Sequence, residues 1–182
     1  LSGVALDGAK SERFKEIKEQ LSVLSNQFSK NSLKATNEWI KIVELEELKG
    51  YSETELAKIK TDKGYELNLQ MPVYMDVMTY LDNRELREEV YRAYASRASE
   101  VGITSVDFDN KAIMDEILAL RQEMADILGF KNYAQLSIES KMVESVDQIL
   151  EFLTNLVQKS KSQAQAEFDE LSQFAGIVLQ PW

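Results

Sequence analysis

Histidine and cysteine are both absent from the 182 residues, and the two absences remove most hydrolytic chemistry from this stretch of chain. Zinc hydrolases hold their metal with neutral imidazoles, usually in an H-E-x-x-H helix, while serine triads and helical di-iron sites also need a histidine. Lack of cysteine excludes disulfides, thiolate zinc sites and cysteine nucleophiles together, and fits a reducing compartment, so the expected location is the cytoplasm. Glycine and proline number only 7 and 2, which disfavours many short strands joined by tight turns and favours long helices. No basic stripe offsets the formal charge of −10, so a phosphate backbone would be repelled and nucleic acid is not an expected partner. No apolar run approaches the roughly 20 residues a bilayer demands, and no basic-then-apolar signal opens the chain; no membrane association is expected.

What is present is ordinary for a folded domain: 44% apolar and 29% charged residues, in a chain long enough to bury a core without staples. From Ser11 to about Lys34, Phe14, Ile17, Leu21, Leu24 and Phe28 recur at three and four residues and predict an amphipathic helix. Asn37–Val43 is rich in aromatic and β-branched residues and predicts a short strand. Ser52-Glu53-Thr54-Glu55 has capping-box spacing, so a short helix should follow and end before Gly64. Tyr65, Leu67 and Leu69 alternate with polar residues as in a half-buried strand that Pro72 stops. This segment, 65–69, is expected to pair with 37–43 as a two-stranded antiparallel ribbon.

Three further helix starts are legible. Asp82-Asn83-Arg84-Glu85 caps a helix running to about Ala98, with Leu86, Val90, Tyr94 and Ala98 on its inner face. Asp109 or Asn110 opens the next, whose broad stripe of Ile113, Ile117, Leu120, Met124 and Ile127 implies neighbours on two sides before Gly129 closes it. Ser145-Val146-Asp147-Gln148 caps the last, which runs to roughly Phe174 and should be about 45 Å long. The expected fold is mainly α: long amphipathic helices packed as an irregular bundle, with one small ribbon, in a single helical region over 1–182.

The acidic clusters Glu44/Glu46/Glu47 and Glu85/Glu88/Glu89 sit beside Lys and Arg and read as solvated faces with local ion pairs. Asp107-Phe108-Asp109-Asn110 faintly resembles a calcium loop, but Ala112 and Leu118 occupy the sixth and twelfth places where Gly and Glu are needed, so helix capping is the better reading. Tyr74, Tyr80, Tyr91 and Tyr94, with Met71, Met75 and Met78, suit either a peptide groove or a core, core packing being favoured.

Several separated blocks, LSGVALDGAKSERFKEIKEQLSVLSNQFSKN, MPVYMDVMTYLDNRELREEVYRAYASRAS and IMDEILALRQEMADILGFKNYAQLSIESKM, followed by the terminal LQPW, resemble the thimet oligopeptidase family in the family's own order. The resemblance implies a cytoplasmic zinc metallopeptidase that cleaves short peptides, with a mostly helical body split by a deep channel. It also implies that the H-E-x-x-H helix, the further glutamate ligand and the substrate-holding segments all lie beyond Trp182. No catalytic, cofactor-binding or metal residue of the family falls on any position of this sequence. Leu1 in place of Met, and the closing Gln180-Pro181-Trp182, read as the ends of a segment cut from a longer chain. The expected role is therefore a non-catalytic wall of the channel, partnered by the missing C-terminal catalytic region and, in the parent, by zinc and short peptides. The alternatives are an independent helical interaction module or a structural homo-oligomer. Far-ultraviolet circular dichroism should give a helical fraction well above one half; a strand-dominated spectrum would refute the fold assignment.

Overall fold

The computed structural model describes Gly3 and residues 6–182, and these form a mainly α protein. Helix α1 spans Gly8–Glu38, four residues beyond the predicted Lys34. It continues because its buried face does: Asn31 and Ala35, one turn apart, are both closed off from solvent. The strand expected from Asn37 therefore starts only at Ile40, and β1 is Ile40–Val43. A 3-10 turn over Leu45–Leu48 follows, capped by the mutual contact of Glu44 and Glu47, so part of the acidic run serves as a helix cap.

The capping box at Ser52 is present, with Ser52 Oγ accepting from the Thr54 amide and the Ser52 amide donating to Glu55. It opens α2 (Glu53–Ile59), which passes directly into β2 (Lys60–Thr61) and then β3 (Gly64–Asn68). The antiparallel pairing predicted for 37–43 with 65–69 is found, in the register Ile40 to Asn68 through Val43 to Tyr65. The ribbon has a third strand, however: β2 pairs with the other edge of β3, giving the order β1-β3-β2. Two residues are too few to show a period, so β2 carries no sequence pattern. It is held by a tight hairpin in which Thr61 Oγ1 accepts from the Lys63 amide and donates to the Gly64 carbonyl.

Pro72, read as a strand stop, also opens a helix: α3 is Met71–Tyr80, with the proline in the first turn where its missing N–H costs nothing. Asn83 accepts from the Leu86 amide and starts α4 (Arg84–Ala95) as predicted, although the helix ends before Ala98. A 3-10 turn over Val106–Phe108 leads into α5 (Lys111–Ile127). The short α6 (Tyr133–Ile138), capped by Asn132, was not anticipated; α7 (Val146–Ala175), capped by Ser145 and closed by left-handed Gly176, was.

The chain divides into two compact units, one of residues up to Leu21 with Ile117–Gln180, the other of Ser22–Glu116 with Pro181–Trp182. In the first, Phe14, Ile17, Leu120, Ala125 and Leu136 are buried, and Arg13 grips Glu123 through two hydrogen bonds of 2.6 and 2.7 Å. Those bonds hold the Glu123 carboxyl below its ordinary pKa. Helix α7 buries none of its residues, and Leu150, Phe152, Leu156, Val157, Leu171 and Phe174 are exposed along it.

The second unit has the larger core. Leu67 and Leu69 are fully buried with Val43, Leu48, Val77, Leu81, Leu86, Val90 and Ala93, so α3 and α4 cover the apolar side of the sheet. A buried amide pair closes another part: Asn31 Nδ2 donates to Asn110 Oδ1 at 3.0 Å, while Asn110 Nδ2 donates to the Phe28 carbonyl and to Ser32 Oγ. Gly50 occupies a left-handed φ of 102°, and a Cβ there would stand 2.1 Å from the Tyr80 carbonyl. Gly129 also has a positive φ, 82°, but open space around it. Urea denaturation should accordingly show Gly50→Ala destabilising by about 2 kcal/mol or more and Gly129→Ala by about 1 kcal/mol, because only the first adds a backbone clash to the left-handed penalty. Equal midpoints for the two variants would contradict this.

Candidate functional site

The residues most suggestive of acid chemistry in the sequence have structural tasks. Glu88 pairs with Arg92 one turn along α4, and Glu89 reaches across to Lys41 on β1. Asp109 accepts from the Lys111 amide and Asn110 is consumed by its buried contacts with Asn31, Phe28 and Ser32, so the faint calcium-loop motif is a helix start. Among the described residues, no three His, Cys, Asp or Glu side chains are grouped to hold a metal ion.

The tyrosine and methionine residues are divided by the fold. Tyr74, Met78 and Tyr94 pack against the core, whereas Met71, Met75 and Tyr80 are exposed. Tyr74 on α3 and Tyr94 on α4 stack with ring centroids 3.8 Å apart and planes 17° from parallel. The Arg97 guanidinium carbon lies 3.5 Å from the Tyr94 centroid. Two groups this close to one ring cannot share a face, so Tyr94 is sandwiched between Tyr74 and Arg97. Tyr94 Oη also donates to Met71 Sδ at 3.7 Å, fixing the edge of the stack against the exposed methionine. Burial raises the Tyr74 phenol pKa, with smaller additions from Tyr91 and Tyr94 and an opposing effect of Arg97.

Tyr91 does not join this stack. It meets Trp182 at 5.5 Å between centroids, and the Arg92 guanidinium lies 4.9 Å from the Trp182 ring, so Trp182 rests on α4 beside the tyrosines. Arg97 and Trp182 are the members of this surface that sequence reading missed. Their only sequence signal was the Tyr94–Arg97 spacing of three, which places a cation near a ring at a helix end.

The sequence pattern of peptidase family M3 matches residues 77–182. The chain belongs to this family. Oligopeptidase A of Salmonella typhimurium and that of Escherichia coli are each 46% identical to it over 194 aligned residues, covering 100% of this chain and 28% of their own length. The probable cytosolic oligopeptidase A of Arabidopsis thaliana is 41% identical over 191 residues, covering 96% of this chain and 26% of its own length. The chain thus spans 28% of the length of its bacterial curated relatives, in their N-terminal part.

Zinc, which membership of the family implies for the intact enzyme, does not fit the residues present. Tight zinc sites are built from imidazoles, thiolates and converging carboxylates; the first two are missing from the sequence and the third from the described residues. No catalytic step is therefore assigned to these side chains. Calorimetric titration with zinc at neutral pH should give no stoichiometric uptake, and one sub-micromolar site would overturn the conclusion.

Proposed function

We propose that this chain is the non-catalytic helical segment of a cytoplasmic, zinc-dependent oligopeptidase that hydrolyses short peptides, and that its long helices form part of the wall of the substrate channel. The observation that carries the reading is the 46% identity to oligopeptidase A along the whole chain, combined with a sequence free of imidazole and thiolate. A segment so closely similar, yet without ligands or a nucleophile, contributes shape and leaves bond-breaking to another part of the same protein. In this reading its partners are the C-terminal catalytic region of the parent, where the zinc is held, and the short peptides the parent cleaves. Nucleic acid is not among them, given the charge of −10. A membrane is not either, and no helix among the described residues is long and apolar enough to cross one.

The exposed side of α7 supports the same reading. A helix of 30 residues that buries none of them, with Phe152 66% and Phe174 90% exposed, leaves more apolar surface uncovered than a self-contained domain usually tolerates. A channel wall restricts entry by width, which selects short and flexible substrates without requiring a pocket for each side chain.

The test compares this chain with the longer protein that continues through an H-E-x-x-H segment, both assayed on a quenched fluorescent peptide of about eight residues, a length suited to a narrow channel. The long protein should cleave it and lose activity to a chelator, and the short chain should be inactive. Turnover by the short chain, or chelator-resistant turnover by the long one, would show that the reading is wrong.

A further inference from the structure

The connection from α4 to α5 is fixed at both ends and slack between them. At its start Ser96 caps α4, Ser99 Oγ donates to the Ser96 carbonyl, and the Gly102 amide donates to the Ser99 carbonyl. A Cβ at Gly102 would stand 2.3 Å from the Ser96 carbonyl oxygen, so this turn closes only around a glycine. Ala98, inside the turn, is buried with a left-handed φ of 51°, the only positive φ of a non-glycine residue among the described residues. Its carbonyl accepts from the Asn110 amide at 3.0 Å, and Asn110 is itself buried and held by Asn31, Phe28 and Ser32. A left-handed alanine persists only where its surroundings hold it, and this clasp does so.

Between these fixed points none of residues 103–109 is buried, and Val106 is 85% exposed. The segment keeps its own shape: Ser105 Oγ accepts from the Asp107 amide and the Ser105 carbonyl from the Phe108 amide, which forms the 3-10 turn Val106–Phe108. It is tied to α1 by the Ser105 amide, which donates to Glu38 Oε2 at 2.7 Å, and by the Lys34 ammonium, 5.7 Å from the centre of the Phe108 ring. Glu38 sits where an acid is unfavourable, at the last residue of α1, and the Ser105 N–H is the donor that offsets the helix dipole there. Between the segment and the start of β1 lies an open cavity of about 200 Å³, lined by Glu38, Trp39, Ile40, Ile103, Thr104 and Ser105. A segment with no buried side chain and a few solvent-facing ties opens at far lower cost than the packed helices beside it.

We propose that residues 103–109 form a strap that opens and closes as a unit over Trp39 and the start of β1, pivoting on the Gly102 turn and on Asn110, with Glu38 as its latch. The clasp of Ala98 and Asn110 confines the motion: α4 and the sheet stay packed while the strap moves, because the buried bonds lie outside the moving residues. Opening widens the cavity beside Trp39 and Ile40, and closing returns the Ser105 amide to the Glu38 carboxylate. The strap is a property of this chain's own contacts and does not rest on the oligopeptidase reading.

The test is 15N relaxation dispersion on the 182-residue chain, which reads opening on the microsecond-to-millisecond scale. The amides of 103–109 should share one exchange rate that is absent from 86–93 in α4. Glu38→Ala should raise the open population about threefold or more, the effect of losing one exposed charged hydrogen bond, and leave 86–93 unchanged. Glu38→Gln keeps the length and an acceptor, and should give a smaller rise. Acrylamide quenching of Trp39, read in a Trp182→Phe background so that one indole remains, should increase with Glu38→Ala. That increase requires the strap to move, since loss of the Ser105 bond alone would leave Trp39 as covered as before. Flat profiles over 103–109 in both the unaltered chain and Glu38→Ala, an equal response in 86–93, a rise with Gln as large as with Ala, or unchanged quenching of Trp39 overturns the proposal.

Discussion

Burial of one side of a very small sheet is the constraint on which the second unit depends. Strands of four, two and five residues cannot stand alone in water, since too few ladder bonds are formed to offset the ordering of the chain. Leu67 and Leu69 must therefore be covered, and Val77 and Leu81 of the α3 segment with Leu86, Val90 and Ala93 of α4 cover them. Once those two helices are committed by their apolar faces, their flanks are committed too. Tyr74 and Tyr94 meet at the margin of the core, Met71 and Met75 remain outside, and α4 ends at Ala95 with Ser96 as its C-cap. The same packing brings the Arg97 guanidinium over the Tyr94 ring.

Charge is distributed according to a similar logic. The protein carries a large excess of carboxylates; Glu44, Glu47, Glu55, Glu89 and Glu123 cap helix starts or cross-link neighbouring elements, while others, such as Glu88 with Arg92, pair within one helix. Capping an orphan amide with a carboxylate is favourable where the helix dipole is positive, so these groups stabilise locally without a buried ion pair's desolvation cost. Among the described residues, no three of them are grouped to hold a metal ion. Many of the segment's polar groups are engaged in ending and joining helices.

Much of this was legible in the residues. The start of α7 and its end within a residue of the predicted Phe174, the start of α4, the α2 cap and the β1–β3 pairing all follow from local chemistry, because a cap, a periodic stripe or an alternation needs only neighbours a few positions away. Misses occurred where a signal was shared or too short. Pro72 ends a strand and begins a helix with equal propriety, and only the first half was read; β2 has two residues and no period; α6 is a single capped turn and a half.

The sequence by itself determined that the chain is helical, acidic and without histidine or cysteine, and its whole-length likeness to oligopeptidase A supplied the family, since composition and matched blocks are properties of the chain alone. Only the tertiary structure decided that Tyr74 and Tyr94, 20 positions apart, would stack, that Asn31 would lock Asn110 from 79 positions away, and that Arg97 would come to rest on an aromatic face. Such contacts depend on how two helices are pressed together over a shared core, and no periodicity within either helix encodes the residue it will meet across the gap.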